Sequence, residues 1–493
     1  MKRFKKSFPL ALIAGMLLIA AGCGGNNNGN ASGSPSASAP SASAPAASGS
    51  TDASPSAEAP ASEEPVSLKF YTISPSDKDV FDAAYPEWSK AHPDISVEMV
   101  VLSGDDSLDK IRVAIAGGEK IDLAYMERDS FRDKAPKLYY KLNDLLTKDG
   151  VEYLKEFGEY GRATMVGSDV YGIANIAVPS AIWLNKDILQ AANVPVPDDS
   201  TWTFKDYFDL LKKLTIKGAD GKTTTYGGIH WQRAPMVATG IFDIATYGGW
   251  DIVKEDGTPN ANDPVLKQAA DYFYQAMFVD KTIPTEADVK ANKVIALYDM
   301  LKGKFATMMG ASSSALQMDT FKLQGNLTEE TDAKDPFVIL KMPRWDASSP
   351  AGQATNIVVS YAVTKNSEHP EQAYQFLKWY STKGAELSAK AVHRVPTWTN
   401  ADQNVLIDGW RYYKDKDGNI VQGKDRSALY KQVLDPSIVP IFPKYRDQYA
   451  YSSMMLDELN NQLSLMLAGE KSVDDALADA QKAAEKIYAK EKK

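Results

Sequence analysis

The pattern of apolar and polar positions changes character several times along the chain. Residues 8–21 form an unbroken run of mostly apolar residues behind Lys2, Arg3, Lys5 and Lys6. Residues 24–67 are almost entirely Asn, Gly, Ala, Ser and Pro, with Asp52, Glu58, Glu63 and Glu64 as the only charges. At Leu68 the pattern becomes that of a folded body. Leu68-Lys69-Phe70-Tyr71-Thr72-Ile73 reads as a strand, and Ser74-Pro75-Ser76-Asp77 supplies helix-start residues. Val80, Phe81, Ala84, Tyr85, Trp88 and Ala91 then recur at helical spacing until His92-Pro93 ends them. Residues 95–102 read as a second strand, residues 108–115 as a helix closed by Gly117-Gly118, and residues 121–126 as a third strand. This β-α-β-α-β opening predicts a doubly wound α/β lobe. Helical periodicity dominates later, over residues 202–214, 264–278, 370–381, 446–467 and 472–488. The last stretch has Ser472 three residues before Asp475, a helix-start signal. Its apolar face of Val473, Ala476, Leu477, Ala480, Ala484 and Ile487 is a packing stripe.

The N-terminal apolar run is too short for a spanning helix of about 20 residues and reads as a secretory leader, residues 1–22. Ala20-Ala21-Gly22 leads directly into Cys23, the single cysteine. This looks like a bacterial lipobox, with Ala20 in place of the usual leucine and Ile19 one step before it. Cleavage before Cys23 would leave its thiol to carry diacylglycerol, and two or more acyl chains give durable anchoring. With no second cysteine, an intrachain disulfide is excluded. Residues 23–67 would then be the lipidated cysteine and a disordered spacer, because such a composition buries too little apolar surface to offset its ordering entropy.

Charge narrows the choice of partners. The 493-residue chain has 55 basic and 64 acidic residues and a net charge of -9, and loss of the leader removes four positive charges more. An acidic chain has no basic face for nucleic acid, and contact with a membrane is expected through the N-terminal lipid alone. Only His92, His230, His369 and His393 are present, at spacings unlike those of metal ligands. No metal and no cofactor are expected. The chain has no G-x-S-x-G, P-loop, H-E-x-x-H or dinucleotide motif. The turn Gly310-Ala311-Ser312-Ser313-Ser314 suits a helix start or backbone contact with a ligand. Asp415-Lys416-Asp417-Gly418-Asn419 resembles the opening of a calcium loop but lacks its later glycine and glutamate, so it predicts a tight hairpin.

Nine tryptophans are more informative. Trp231, Trp250, Trp345, Trp398 and Trp410 sit among polar or turn-forming neighbours. Sugar C–H faces stack on aromatic rings while hydroxyls seek carboxylates, amides and guanidinium groups, so these rings point toward a carbohydrate.

The body from Leu68 to Ile487 resembles the extracellular solute-binding proteins of ABC importers, in the sugar-binding group that includes maltose-binding protein. The likeness rests on residues 109–118 with Ile121-Asp122-Leu123, on residues 176–189 with Pro197 and Thr201–Phe204, on residues 302–310, and on Val358–Val363 with residues 370–377 and the start of the closing helix. It implies an α/β, two-lobed, periplasmic-binding-protein-like (type II) fold of the venus-flytrap kind. Lobe one would be residues 68–175 plus 346–398 and lobe two residues 176–345 plus 399–490, with crossings near 174–178, 340–345 and 396–400. It also implies ligand contacts from Tyr71 and Ser74, from Met126, Glu127, Arg128 and Asp129, and from Trp183. Ser312 and Ser313 occupy a turn where many members carry a tryptophan, a loss that Trp345, Arg394, Trp398 and Trp410 would compensate. The segment 401–440 is read either as an extra wall for a longer ligand or as a surface hairpin with a small core of its own.

The expected function is a monomeric, lipid-anchored receptor on the outer face of the cytoplasmic membrane of a Gram-positive bacterium. It would bind an oligosaccharide and deliver it to ABC importer permease subunits, without catalysis. A surface-tethered glycoside hydrolase and a ligand sensor for a signalling receptor are the alternatives.

Overall fold

The first strand, β1 (Val66–Thr72), begins two residues earlier than its apolar run suggests, because Val66 and Ser67 pair with Ile95 and Ser96. The structure is a computed structural model that describes residues 64–492 apart from 74, 103–106, 127–133, 231–236, 312–313, 315–317, 319–320, 323–324, 329–335, 394, 416 and 429–437. The leader, Cys23 and the spacer up to residue 63 lie outside the described residues. One unit spans Glu63–Lys493.

The opening follows the predicted order: β1, α1 (Pro75–Ala91), β2 (Ile95–Val101), α2 (Ser107–Ala116) and β3 (Leu123–Met126). β1 lies parallel between β2 and β3. The long strand β4 (Ile173–Asn185) follows, then α3 (Phe204–Leu214), β5 (Ile216–Lys217), β6 (Thr223–His230), α4 (Val237–Tyr247) and α5 (Pro264–Tyr274). Next come β7 (Phe305–Ala311), β8 (Phe337–Leu340), β9 (Asn356–Val363), α6 (Pro370–Trp379), β10 (Val395–Pro396), α7 (Ser452–Leu467) and α8 (Val473–Glu491). The ten strands make one curled sheet in the order β2-β1-β3-β9-β4-β7-β6-β5, with β8 and β10 also paired to β4.

β4 joins the two lobes. Its residues 173–179 pair with β9, and residues 180–184 pair with β7. The change falls between Pro179 and Ser180. Proline has no N–H to give to a ladder, so it fits where one ladder ends and the next begins.

Each side of the sheet buries its own core. Leu68, Phe70, Phe81, Trp88, Tyr361, Phe376 and Tyr380 fill the first lobe. In the second, α3, α4, α5, α7 and α8 pack their apolar stripes on Ile182, Leu184 and Met309. α3 lies so close to β6 that a Cβ at Gly227 would stand 2.0 Å from the Leu211 carbonyl oxygen. Thr203 and Asp206 form its capping box.

Local expectations held at two turns and failed at a third. Ser472 Oγ caps α8 by accepting from Asp475 N. The predicted hairpin is present, Tyr412–Lys414 pairing with Ile420–Gln422, with the Asp415 carboxylate accepting from Asp417 N and Asn419 N, each at 2.9 Å, and Gly418 at φ +86°. The helix expected from Arg446 starts only at Ser452, after a short 3-10 turn at Arg446–Gln448. Distant partners claim the backbone and rings there: Asp251 takes two N–H groups, and the Tyr449 and Tyr451 hydroxyls donate to the Glu255 and Gly257 carbonyls.

Candidate functional site

The register of the sheet directs several strand ends to one place. Met126 closes β3 opposite Ser360, and β9 runs on from there toward Asn356, which faces Pro179. Ala311 closes β7 opposite Ser180. The carboxyl ends of β3 and its parallel neighbour β1 therefore point at the Pro179–Ser180 crossing from one side. Those of β7 and its parallel neighbour β6 point at it from the other. Ligands of open α/β sheets bind outside such strand ends.

Two further segments meet β4 at this level. Thr355 precedes β9, accepts from Ser180 N at 3.0 Å and exchanges a hydroxyl hydrogen bond with Ser180 at 3.0 Å. Its own N–H donates to Tyr247 Oη at 2.9 Å. β10 pairs with Ile176 and Ala177, and Thr397 ties to Asn175 and Ala174 through its N–H and hydroxyl.

The candidate residues fall into three groups. Tyr71 and Met126 share one apolar cluster at the ends of β1 and β3. Tyr71 is half-buried and its hydroxyl donates to Glu119 Oε1 at 2.9 Å. Burial, then the Glu119 hydrogen bond and charge, push this phenol up. Met126 is buried, its thioether against Gly172.

Trp183, Trp250 and Trp410 are spent in packing. Trp183 is fully buried and meets Phe337 edge-on with centroids 5.9 Å apart. Trp250 stacks on Phe242 at 5.7 Å and donates Nε1 to the Asn260 carbonyl. Trp410, 2% exposed, stacks on His393 at 4.8 Å. All three rings are buried here, with their faces or edges taken by these protein partners, so the expectation that they contact a sugar finds no exposed ring to rest on.

Trp345 and Trp398 are half-buried. Trp345 lies on Gly248, where a Cβ would stand 2.8 Å from its ring carbons. Trp398 packs against the cores on both sides of the crossing, and its buried Nε1 has no hydrogen-bond partner among the described residues. Ser74, Glu127, Arg128, Asp129, Trp231, Ser312, Ser313 and Arg394 lie outside the described residues.

His230, at the carboxyl end of β6, gave no sequence signal beyond its type. It sits against Gly240 of α4 and Phe273 of α5, and burial drives its imidazole down to about 4. Among the described residues no cluster of His, Cys, Asp and Glu could hold a metal ion, and no helix is long and apolar enough to cross a membrane.

The sequence pattern of the family described as bacterial extracellular solute-binding protein matches residues 74–387. The chain belongs to that family. An arabinooligosaccharide-binding protein of Halalkalibacterium halodurans is 22% identical over 371 residues, covering 72% of this chain and 77% of that one. An ABC substrate-binding protein from Listeria monocytogenes, in complex with cycloalternan, superposes with a TM-score of 0.66 at 19% identity, over 86% of this chain and 100% of that chain. The sugar-binding protein MalE from Xanthomonas citri gives 0.68 at 12% identity, over 87% and 98%. This solute-binding protein thus has the two-lobed, type II periplasmic-binding-protein fold. Its Tyr247, Ser180 and Thr355 connections at the crossing had no local sequence signal, since Tyr247 and Thr355 are 108 residues apart.

Proposed function

We propose that the chain is an extracellular receptor that holds an oligosaccharide between its lobes and passes it to the permease of an ABC importer without transforming it. The observation that carries this reading is the convergence of four parallel-strand ends, two from each lobe, on the Pro179–Ser180 crossing. Groups on both sides of such a crossing touch a common guest only when the lobes approach, so ligand contacts that exist only in the closed state would drive closure. Tyr71 and Trp345 supply aromatic faces. Ser74, Glu127, Arg128, Asp129, Trp231, Ser312, Ser313 and Arg394 are proposed as further contacts, and lipid on Cys23 as the anchor to the outer face of a Gram-positive cytoplasmic membrane. Lobe one is taken as the part built on β1–β3 and β9, lobe two as the part built on β5–β8, and the receptor as a monomer.

Titration calorimetry of the mature chain against arabinotriose, maltotriose, mannotriose and cycloalternan tests this. Saturable binding to one of them without product is expected. Trp345→Ala should weaken it at least about tenfold, the loss of one well-packed stacking contact. A chain that cleaves the sugar, or ignores every sugar while binding a peptide, ends the proposal. In cells, radiolabelled palmitate should mark the parent and not Cys23→Ser; equal labelling would remove the anchor from the scheme.

A further inference from the structure

Residues 438–446 connect parts of the chain that the lobes would otherwise keep apart. Val439 and Pro440 pair in parallel with Gln353 and Ala354 just before β9. Val439 N donates to the Gly352 carbonyl at 2.8 Å and Ile441 N to the Ala354 carbonyl at 2.9 Å. Successive side chains of an extended segment point to opposite sides, and the next two do so here. Ile441 packs on the second-lobe core beneath α3, α4, α5, α7 and α8. Phe442, with Tyr160, packs on Ala163, Ala174 and Val358. Ala174 and Val358 belong to the β4–β9 ladder of the first lobe.

The base of this segment is fixed to the second lobe. Asp251, 4% exposed, accepts from Tyr445 N at 2.6 Å, Arg446 N at 2.9 Å and Ile252 N at 2.8 Å. Two of these donors, Tyr445 N and Arg446 N, hold the segment on the buried carboxylate while Ile252 N fixes its other oxygen, and the Tyr445 ring packs on the same core. Phe442 is thus an arm rooted in one lobe with its ring seated on the other. Any rotation about the crossing that lifts Phe442 from Ala174 and Val358 exposes an aromatic ring.

We propose that residues 438–446 are an interlobe strap, with Asp251 as its anchor and Phe442 as its tip, that sets the angle the lobes hold without ligand. Closure on a guest then works against or with this seat, which makes Phe442 and Asp251 positioning residues for binding, although neither needs to touch the ligand.

The test uses no sugar, so its failure is separate from failure of the oligosaccharide reading. Cys23 is the only native cysteine. The full chain carrying Cys23→Ser, Glu87→Cys on α1 and Lys290→Cys in the second lobe can therefore be spin-labelled at two exposed sites. Pulsed dipolar spectroscopy then reads the interlobe distance. A single narrow distribution is expected for this parent. Phe442→Ala should at least about double its width or move its mean by several ångström, as a released two-state equilibrium would. Asp251→Asn should act in the same direction and less strongly. Ile441→Ala should lower the melting temperature yet leave the distribution in place, because its packing partners belong to one lobe. If Phe442→Ala does not fold, Phe442→Leu replaces it, with the same direction and a smaller change. Distributions for the Phe442 and Asp251 variants that superimpose on the parent, or an Ile441→Ala shift as large as that of Phe442, would overturn the strap.

Discussion

The two lobes both pack aromatic rings against the sheet but finish their cores in different ways. In the first, an aromatic lattice is wedged between the sheet and its helices. Phe70 meets Tyr361 edge-on at 4.9 Å and Tyr380 at 5.6 Å, Phe376 stacks on Tyr380 at 5.5 Å, and Trp88 meets Phe376 at 5.1 Å. In the second, rings also gather on α3, α4 and α5, with Phe204 edge-on to Tyr247 at 5.2 Å and Phe208 edge-on to Phe273 at 5.7 Å, while Leu, Met and Ala of the α7–α8 hairpin close the stack. Both cores are completed by chain that returns after a crossing, but the returning pieces differ in kind. β9 inserts between β3 and β4 as a central strand, whereas α7 and α8 only cover. The first lobe therefore has no finished sheet until β9 arrives, while the second has its ladder before its last helices dock.

That difference is sharpest in large-to-small substitutions. Phe376→Ala removes a ring shared by several aromatic neighbours and should cost about 4 kcal/mol; Leu463→Ala, on the covering helix α7, should cost about 3. Chemical denaturation followed by both far-ultraviolet circular dichroism and tryptophan fluorescence reads these losses. If the interleaved chain makes the lobes cooperative, each variant shifts one common transition. Two separated transitions, with Phe376→Ala moving only one, would show that the returning strand does not couple the lobes.

Protonation separates the lobes at the next level. His230 is buried in the second lobe against α4 and α5, with its imidazole pushed down to about 4. Between the ordinary value near 6.5 and about 4, the unfolded chain takes up a proton that the folded chain refuses. Stability from this group is complete above about 6.5 and is lost as pH falls through that window, on the order of 3 kcal/mol in total. Urea midpoints of the parent at pH 7, 5.5 and 4 should fall accordingly, and His230→Gln should flatten the trend. An unchanged slope in the variant would assign the acid sensitivity to other groups.

What the sequence made legible follows the range of each interaction. The first three strands and two helices were readable because their periodicity and stop signals lie within about ten residues of each other. The Ser472 cap and the Asp415 hairpin were readable for the same reason. β4 was visible only through family likeness, since a strand buried on both faces shows a continuous apolar run that fixes neither its partners nor the place where they change. The burial of Trp183 had no local signal, because Phe337 lies 154 positions after it. Asp251 reaches Tyr445 across 194 residues, and no local signal could have marked the strap. The contacts proposed beyond the strand ends came from the family likeness, at a position where open α/β sheets bind ligands in general.

The smallest effect asks whether the first lobe leans on charge as well as on its rings. Lys378, in the last turn of α6, holds Asp149 at 2.6 Å, and both side chains remain about one-third exposed. The lysine hydrogen bond keeps the Asp149 carboxyl below its usual range. Its contribution is therefore present above the ordinary aspartate value and lost as pH falls through the lowered one. Water and salt screen a pair this open, so Lys378→Met should cost less than about 1 kcal/mol, and the loss should shrink further in high salt. A double-mutant cycle with Asp149→Asn isolates the coupling. A coupling of about 2 kcal/mol or more that persists in high salt would mean that this pair, and not the lattice around Phe376 alone, fastens α6 within the first lobe. The contrast between a lobe finished by an inserted strand and one finished by covering helices would then be incomplete.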